Sequence, residues 1–262
     1  MIRYFRLFWV QLRTSLTTGM QYRWEFFIDG AMSLFWALMA LLPLWVFGGN
    51  GRSLADWSYP EMVVVVGWFT VLKGLLDGAV NPSLIAVVEH IRKGTLDFVL
   101  LKPADAQFLV STAKFDPWKM VDVPAGAALL VYGFHLLGRT PALVHIAGSL
   151  VLLLAACLVL YSLWIIVVSA AFWVVRLDNL AFLFMSIFDF ARWPVSVFKG
   201  SLRFVFTFII PLAVMTTFPA LALLGRLGPR VGLTVLAGSL AFMGLSRLCW
   251  VRSIGQYTSA SS

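Results

Sequence analysis

The sequence predicts an all-α integral membrane protein. Its parts are an N-terminal interfacial helix, six transmembrane helices, a cytoplasmic helix between spans 2 and 3, and re-entrant outer helices between spans 5 and 6. Three observations predict it. Hydrophobic residues make up 61% of the 262 positions and charged ones 12%, with a mean hydropathy of +0.90. Soluble domains carry roughly 25% charged residues, and in water this chain would expose large apolar patches. The apolar runs are long and unbroken, where barrel strands would alternate, and lipid demands a backbone that satisfies its own hydrogen bonds. The net charge of +8 gathers at the ends of these runs, as in inside-positive loops that touch anionic lipid. That bias accounts for the charge without a nucleic-acid partner. At about 20 residues per span, little chain remains for a soluble catalytic domain.

Residues 1–25 form the interfacial unit. Phe5, Phe8, Trp9, Leu12 and Leu16 recur at helical spacing, with Arg6, Arg13, Thr14 and Thr17 facing elsewhere, the pattern of a helix lying in the membrane plane. The six-span domain covers 26–250. Span 1 runs from Phe26 to Phe47, with Pro43 near its outer end, and Gly48 to Gly51 make a turn. Span 2 runs from Glu61 to Gly78. Lys73 and Asp77 lie four apart and can pair, while Gly74 and Gly78 make a close-packing step. Residues 79–121 are a polar connection. Span 3 runs from Val121 to Leu137 and span 4 from Leu143 to Val175, ended by Arg176, Asp178 and Asn179.

Span 5 is read over 180–197, followed by an outer re-entrant region, 198–230, broken by Pro211 and Pro219. A span over 204–223 is the alternative. Span 6 runs from Val231 to Trp250, and 251–262 are a polar cytoplasmic tail. Arg3, Arg6, Arg13, Arg23, Arg92, Lys93, Lys102, Lys114, Lys119, Arg176, Arg247 and Arg252 fall on one side. Half as many fall on the other: Arg52, Arg139, Lys199, Arg203, Arg226 and Arg230. The termini and the 79–121 connection are therefore expected in the cytoplasm.

No phosphate-binding loop, nucleophile elbow, H-E-x-x-H or dinucleotide fingerprint is present. No catalytic residue is assigned. His90, His135 and His145 lack metal-ligand spacing, so no metal is expected. Cys157 and Cys249 lie in apolar runs and read as core residues. The most polar island is Ile91 to Pro103. Gly94 permits a backbone break, Thr95 can cap a helix, and Asp97 complements its positive end. Phe98, Leu100 and Leu101 supply an apolar face, and Pro103 stops the helix after about two turns.

The run Ile91-Arg92-Lys93-Gly94-Thr95-Leu96-Asp97-Phe98-Val99-Leu100-Leu101-Lys102-Pro103, then Gln107-Phe108, resembles the coupling segment of type-2 ABC exporter permeases. It is most similar to small bacterial permeases with Gly-x-Leu-Asp-x-x-Leu-Leu-Lys/Arg-Pro. Phe190 to Ser196, Leu202 and Ile210-Pro211 resemble the end of span 5 and the outer helices of that family. Many members carry an acidic residue just before the glycine; here Glu89 lies further back and His90 intervenes.

The resemblance implies a non-catalytic permease in a bacterial cytoplasmic (inner) membrane, working with two copies of an ATP-binding subunit that holds the ATP and magnesium. Gly94 to Leu101 would be the coupling helix, with Phe98, Leu100 and Leu101 as anchors and Arg92, Lys93 and Lys102 as rim charges. A second permease completes the transporter, a different homologous chain in preference to a second copy. A stand-alone carrier and a non-transporting assembly protein are the other readings.

Asp189 and Arg192 lie three apart inside an apolar block. They line a pathway, or they neutralise each other near the headgroups. Phe184, Phe188 and Trp68 either wall a cavity or pack in the core. The aromatic content leans towards hydrophobic or cationic small molecules as cargo.

Overall fold

A computed structural model describes residues 2–21, 23–48, 53–172 and 178–257. The expected turn at 49–51 with Arg52, the end of span 4 at 173–177 with Arg176, and the tail beyond 257 lie outside the described residues. Among the described residues every regular element is a helix. They are α1 (Ile2–Gly19), α2 (Arg23–Gly48), α3 (Tyr59–Arg92), α4 (Asp97–Leu100), α5 (Ala106–Ser111), α6 (Pro117–Leu137) and α7 (Leu143–Phe172). Then follow α8 (Asp178–Phe188), α9 (Gly200–Ile209), α10 (Ala213–Leu223) and α11 (Pro229–Ile254). Among the described residues five helices, α2, α3, α6, α7 and α11, are long and apolar enough to cross a membrane, and a sixth would be counted only if the α9–α10 pair, bent by 70°, were one span.

Side-chain contacts sort the chain into two ends. At one end Trp57 is buried in a tight turn, with Ala55 and Asp56 at φ 50 and 67. Its Nε1 donates to Ser196 Oγ at 3.0 Å. Arg226 lies 5.7 Å from the centre of the Trp57 ring and pairs with Glu61 at 2.9 Å. At the other end Phe172 meets Trp250 and Tyr257 edge-on, each at 6.0 Å. Phe172 lies at the second end and Ser196 at the first, with α8 between them in the sequence. From Ser196 to Arg226 the chain starts and finishes at the Trp57 end. The bent α9–α10 pair is therefore a re-entrant hairpin. Thr216 Oγ1 donates to Ala191 O at 2.6 Å, and the Val195 amide donates to Thr217 Oγ1 at 3.1 Å. These bonds satisfy the irregular backbone at that depth.

Span 2 does not end at Gly78. Helix α3 runs on for 34 residues in all, to Arg92. The Asn81-Pro82 pair suggests a boundary, because Pro82 cannot bond back to Gly78 O. A π-turn over Leu76–Val80 absorbs the proline, and the Asp116 amide takes the freed Gly78 carbonyl at 2.8 Å. One turn on, buried Ser83 Oγ bonds both the carbonyl and the amide of Lys114, at 2.5 and 2.9 Å. The returning chain thus supplies a donor for the one carbonyl that the proline leaves free and is tied down again at Ser83.

Helix α3 packs on α6 along a seam of glycines. A Cβ on Gly126 would lie 2.6 Å from Val71 N and 2.7 Å from Gly67 O. One on Gly133 would lie 2.8 Å from Val64 Cγ2 and 3.2 Å from Pro60 O, and one on Gly74 would lie 3.0 Å from Val123 N. Gly67 and Gly74, like Gly126 and Gly133, are seven residues apart and share one face. Lipid offers no hydrophobic drive for helix pairing, so close van der Waals approach supplies it. Gly126→Ala is expected to push the helices apart and cost about 1–3 kcal/mol. Gly148→Ala in α7, with open space around it, should leave stability unchanged or raise it. Thermal unfolding of the purified protein in detergent measures both.

Candidate functional site

Two regions concentrate functional chemistry: the turn at Lys93–Pro103 and a charged cleft beside α3. The turn begins where α3 stops. Gly94 adopts φ 67, a left-handed conformation that suits glycine. Its amide bonds Ile91 O at 3.2 Å, and the Thr95 amide bonds His90 O at 2.9 Å. These two bonds are the Schellman C-cap. Thr95 therefore closes α3 and does not cap α4. Its hydroxyl lies 2.8 Å from His90 Nδ1, and Leu96 takes the N-cap position. The expected two-turn helix is a single turn, Asp97–Leu100, because the Schellman closure consumes Gly94 and Thr95.

The apolar face is also redistributed. Phe98 and Leu101 are 70% and 82% exposed, whereas Leu96 is fully buried. Leu100 is half-buried against the core. Arg92, Lys93, Lys102 and Pro103 are exposed around the pair. Lys93 is bridged to Glu89 at 2.7 Å, one turn back on α3.

A polar network clamps this turn to two spans. Arg247 on α11 binds both carboxylate oxygens of Asp105 and donates to Gln107 Oε1 at 2.7 Å. Gln107 Nε2 reaches Tyr161 Oη on α7 at 3.0 Å, and Ser111 Oγ lies 2.7 Å from the same hydroxyl. Asp105 also caps α5 through the Phe108 amide at 2.9 Å. Burial raises the Asp105 pKa, but the hydrogen bonds from Arg247 and the Phe108 amide outweigh it, and the carboxyl titrates below its ordinary value. Tyr257 lies over the start of α4. Loss of water, then the Asp97 charge, push its hydroxyl pKa up.

Helix α1 lies under the same loop. Gln11 accepts from Thr112 Oγ1 at 2.6 Å, Ser15 Oγ accepts from the Phe115 amide at 3.1 Å, and Gly19 O accepts from Trp118 Nε1 at 2.8 Å. Phe5, Trp9 and Leu16 remain exposed along another face of α1, as an interfacial helix requires.

The cleft has a volume of about 250 Å³. Helix α2 contributes Ser33 and Trp36, α3 contributes Phe69 and Lys73, and Asp122 comes from α6. Asp189 and Arg192, from the 3-10 turn after α8, complete it. These two are paired at 2.9 Å, and Arg192 also lies 5.4 Å from the centre of the Phe69 ring. Ser33 donates to Asp122, and nearby Asp29 is bridged to Lys119 at 2.5 Å. Phe188 stands behind the cleft, 5.2 Å from Phe69. Phe184 stacks on Trp164 at 4.9 Å in the core, and Trp68 is buried in a separate cluster with Leu44 and Met62. The structure thus brings Asp189 and Arg192 together with Lys73, and keeps Phe184, Phe188 and Trp68 out of the lining. Lys73 makes no ion pair with Asp77, whose carboxylate accepts from Asn81 Nδ2 at 3.3 Å.

Residues 34–261, most of the chain, match the family described as ABC-2 family transporter protein. The chain belongs to that family. No curated protein and no solved structure matches it. ABC-2 membrane subunits are non-catalytic permeases, and membership implies an ATP-binding partner subunit. In this ABC-2 permease the sequence reading missed Asp122, Ser33, Trp36 and the clamp residues Arg247, Asp105, Gln107 and Tyr161. A signal existed for two of them, since Tyr161 and Arg247 are polar groups inside apolar runs.

Arg247→Leu is expected to loosen the clamp by about 1 kcal/mol, roughly fivefold in local opening. A cysteine placed by Leu96→Cys, at the buried base of the turn, with Cys157 and Cys249 replaced by serine, should then be labelled faster by a water-soluble maleimide. The Asp105 contribution should be complete above the free carboxyl value of 3.8 and be lost as pH falls through the lower folded value.

Proposed function

We propose that this chain is the permease subunit of an ATP-driven exporter in a bacterial cytoplasmic membrane. It works with two copies of a separate ATP-binding subunit, which hold the ATP and magnesium. A second permease, a homologous but different chain, completes the pathway. The reading rests most on one observation: Phe98 and Leu101 stand exposed on a turn that is capped at Gly94, anchored by the buried Leu96 and clamped through Asp105 and Gln107. Two large apolar side chains held out from a fixed base are suited to a groove on a soluble partner. Arg92, Lys93 and Lys102 ring them, and rim charges orient such a contact.

In this reading the Trp250 end is cytoplasmic, and Gly94 to Pro103 is the coupling segment. Closure of the ATP-binding subunits moves α4, and α3 carries the displacement into the membrane. Asp189, Arg192 and the cleft they line form part of the pathway, with Phe188 as its backing, while Phe184 and Trp68 hold the wall from the core. Trp36 and Phe69 in the lining support a hydrophobic cargo. The cationic part of the expectation has weaker support, because Arg192 already covers Phe69 and neutralises Asp189.

Phe98→Asp combined with Leu101→Asp is expected to abolish co-purification of the ATP-binding subunit while the permease itself still elutes as a folded species. Each exposed anchor is worth about 1–2 kcal/mol or more in binding, so the double change should cost at least tenfold in affinity. Unchanged co-purification would show that the docking surface lies elsewhere.

A further inference from the structure

Helix α1 is tied along one face to the segment 105–118. Tyr4, Phe8, Gln11, Ser15 and Gly19 recur three or four residues apart and so share that face. Tyr4 Oη accepts from the Asp105 amide at 3.2 Å, and its ring meets Phe108 edge-on at 4.9 Å. Phe8 meets Phe115 at 5.5 Å. Gln11, Ser15 and Gly19 then accept from Thr112, Phe115 and Trp118. The contacts fix where α1 lies. Gly19 sits beside Trp118, at the start of α6, and a few residues before Phe27, where the apolar window of α2 begins. Tyr4 sits beside Asp105, which is held by Arg247 near the end of α11. Both ends of α1 therefore lie at the ends of membrane-length helices, and α1 runs along the membrane surface between them.

The rest of the helix surface divides into two strips. Phe5, Trp9 and Leu16 flank the docked face and are exposed. Arg6 and Arg13, seven residues apart, lie beyond them, opposite the docked face, and Arg3 lies one turn before Arg6. The three arginines are exposed, and among the described residues none of them forms an ion pair. Helix α1 contains no Asp or Glu, so nothing within it neutralises them. An apolar strip edged by cations, placed where spans end, complements a bilayer with anionic headgroups. The strip enters the acyl boundary, and the arginine stems lie along it with their guanidinium groups at the phosphates.

We propose that α1 is a docking surface for anionic phospholipid headgroups, bound by Arg3, Arg6 and Arg13, and that this docking holds the Lys93–Pro103 turn through Tyr4 and Asp105. Tyr4 bonds the backbone of the same residue whose carboxylate Arg247 clamps. Lipid that anchors α1 therefore restrains the segment that Arg247 restrains. The lipid site goes beyond the permease reading; only its consequence for coupling rests on that reading.

The test uses the full-length chain in phosphatidylcholine nanodiscs. The probes are phosphatidylglycerol and phosphatidylcholine, each brominated on the acyl chain near the head and added at the same low mole fraction. Quenching assigned to Trp9, as the difference between the wild type and Trp9→Phe, reads the lipid at α1. Phosphatidylglycerol should be enriched there about tenfold over phosphatidylcholine, and Arg3→Gln, Arg6→Gln and Arg13→Gln together should bring the two to parity. Leu96→Cys, with Cys157 and Cys249 replaced by serine, should react with maleimide about threefold slower in discs that contain unbrominated phosphatidylglycerol. The three glutamines should remove that slowing. The preference between lipids is measured on the wild type and does not depend on whether a variant folds.

Equal enrichment of both lipids, or a preference that survives the triple change, would overturn the arginine site. No quenching assigned to Trp9 would take α1 off the bilayer and leave its exposed strips to a protein partner, which overturns the lipid. Labelling indifferent to phosphatidylglycerol would overturn the link to the turn. None of these measurements includes the ATP-binding subunit, so their failure and failure of the docking test are separate results.

Discussion

The contact on which the rest of the structure depends is the backbone approach of α3 to α6. Along this seam glycines replace side chains, and Gly126 meets Gly67 O and Val71 N with no room for a methyl group. In lipid the apolar effect does not bring helices together, so stability comes from the density of such contacts. The seam runs from Pro60 beside Gly133 to Asp116 beside Gly78, and α3 continues beyond it to Arg92. The result is a stiff pair with one projecting arm, and the capped turn with Phe98 and Leu101 sits at the tip of that arm.

An arm of this kind is useful only if its tip is fixed to the rest of the protein. The fixing is polar. Arg247, Asp105, Gln107, Tyr161 and Ser111 form a continuous set of hydrogen bonds that joins α5 to α7 and α11. Partial burial strengthens each bond and makes an unpaired member costly, so the set holds or fails together. A displacement of the turn therefore acts on α7 and α11 as well as on α3 and α6. Helix α2 stands apart: its apolar window is almost entirely exposed, and polar anchors at Asp29 and Ser33 tie it to the bundle.

The cleft lies where these two behaviours meet. Lys73 precedes a seam glycine, and Asp122 packs its Cβ against that glycine, Gly74. Both belong to the stiff pair, whereas Ser33 and Trp36 belong to the loosely packed α2. A shift of α3 and α6 against α2 changes the width of the cleft without breaking the seam. The fold thus places its charged side chains at the boundary between a closely packed helix pair and a helix that buries little of itself in this chain.

The sequence by itself determined the fold class, the apolar spans, the interfacial helix and the position of the polar turn. Each of these rests on composition or local periodicity, which need no knowledge of neighbours. It also pointed to the Gly74–Gly78 step and to Asp189 and Arg192, because glycine pairs and charges stand out in apolar runs. Only the tertiary structure decided the remainder. Gly78 looked like the end of span 2, and the helix runs on to Arg92 with a distant amide at Asp116 on the Gly78 carbonyl. Thr95 looked like the start of a helix, and a carbonyl at His90 made it the end of the previous one. Leu100 and Leu101 looked equivalent, and a one-turn helix sent them to opposite environments. Lys73 looked like the partner of Asp77 until Asn81 took that carboxylate. In each case local spacing offered two partners at similar energy, and a long-range contact or the direction of one backbone turn chose between them.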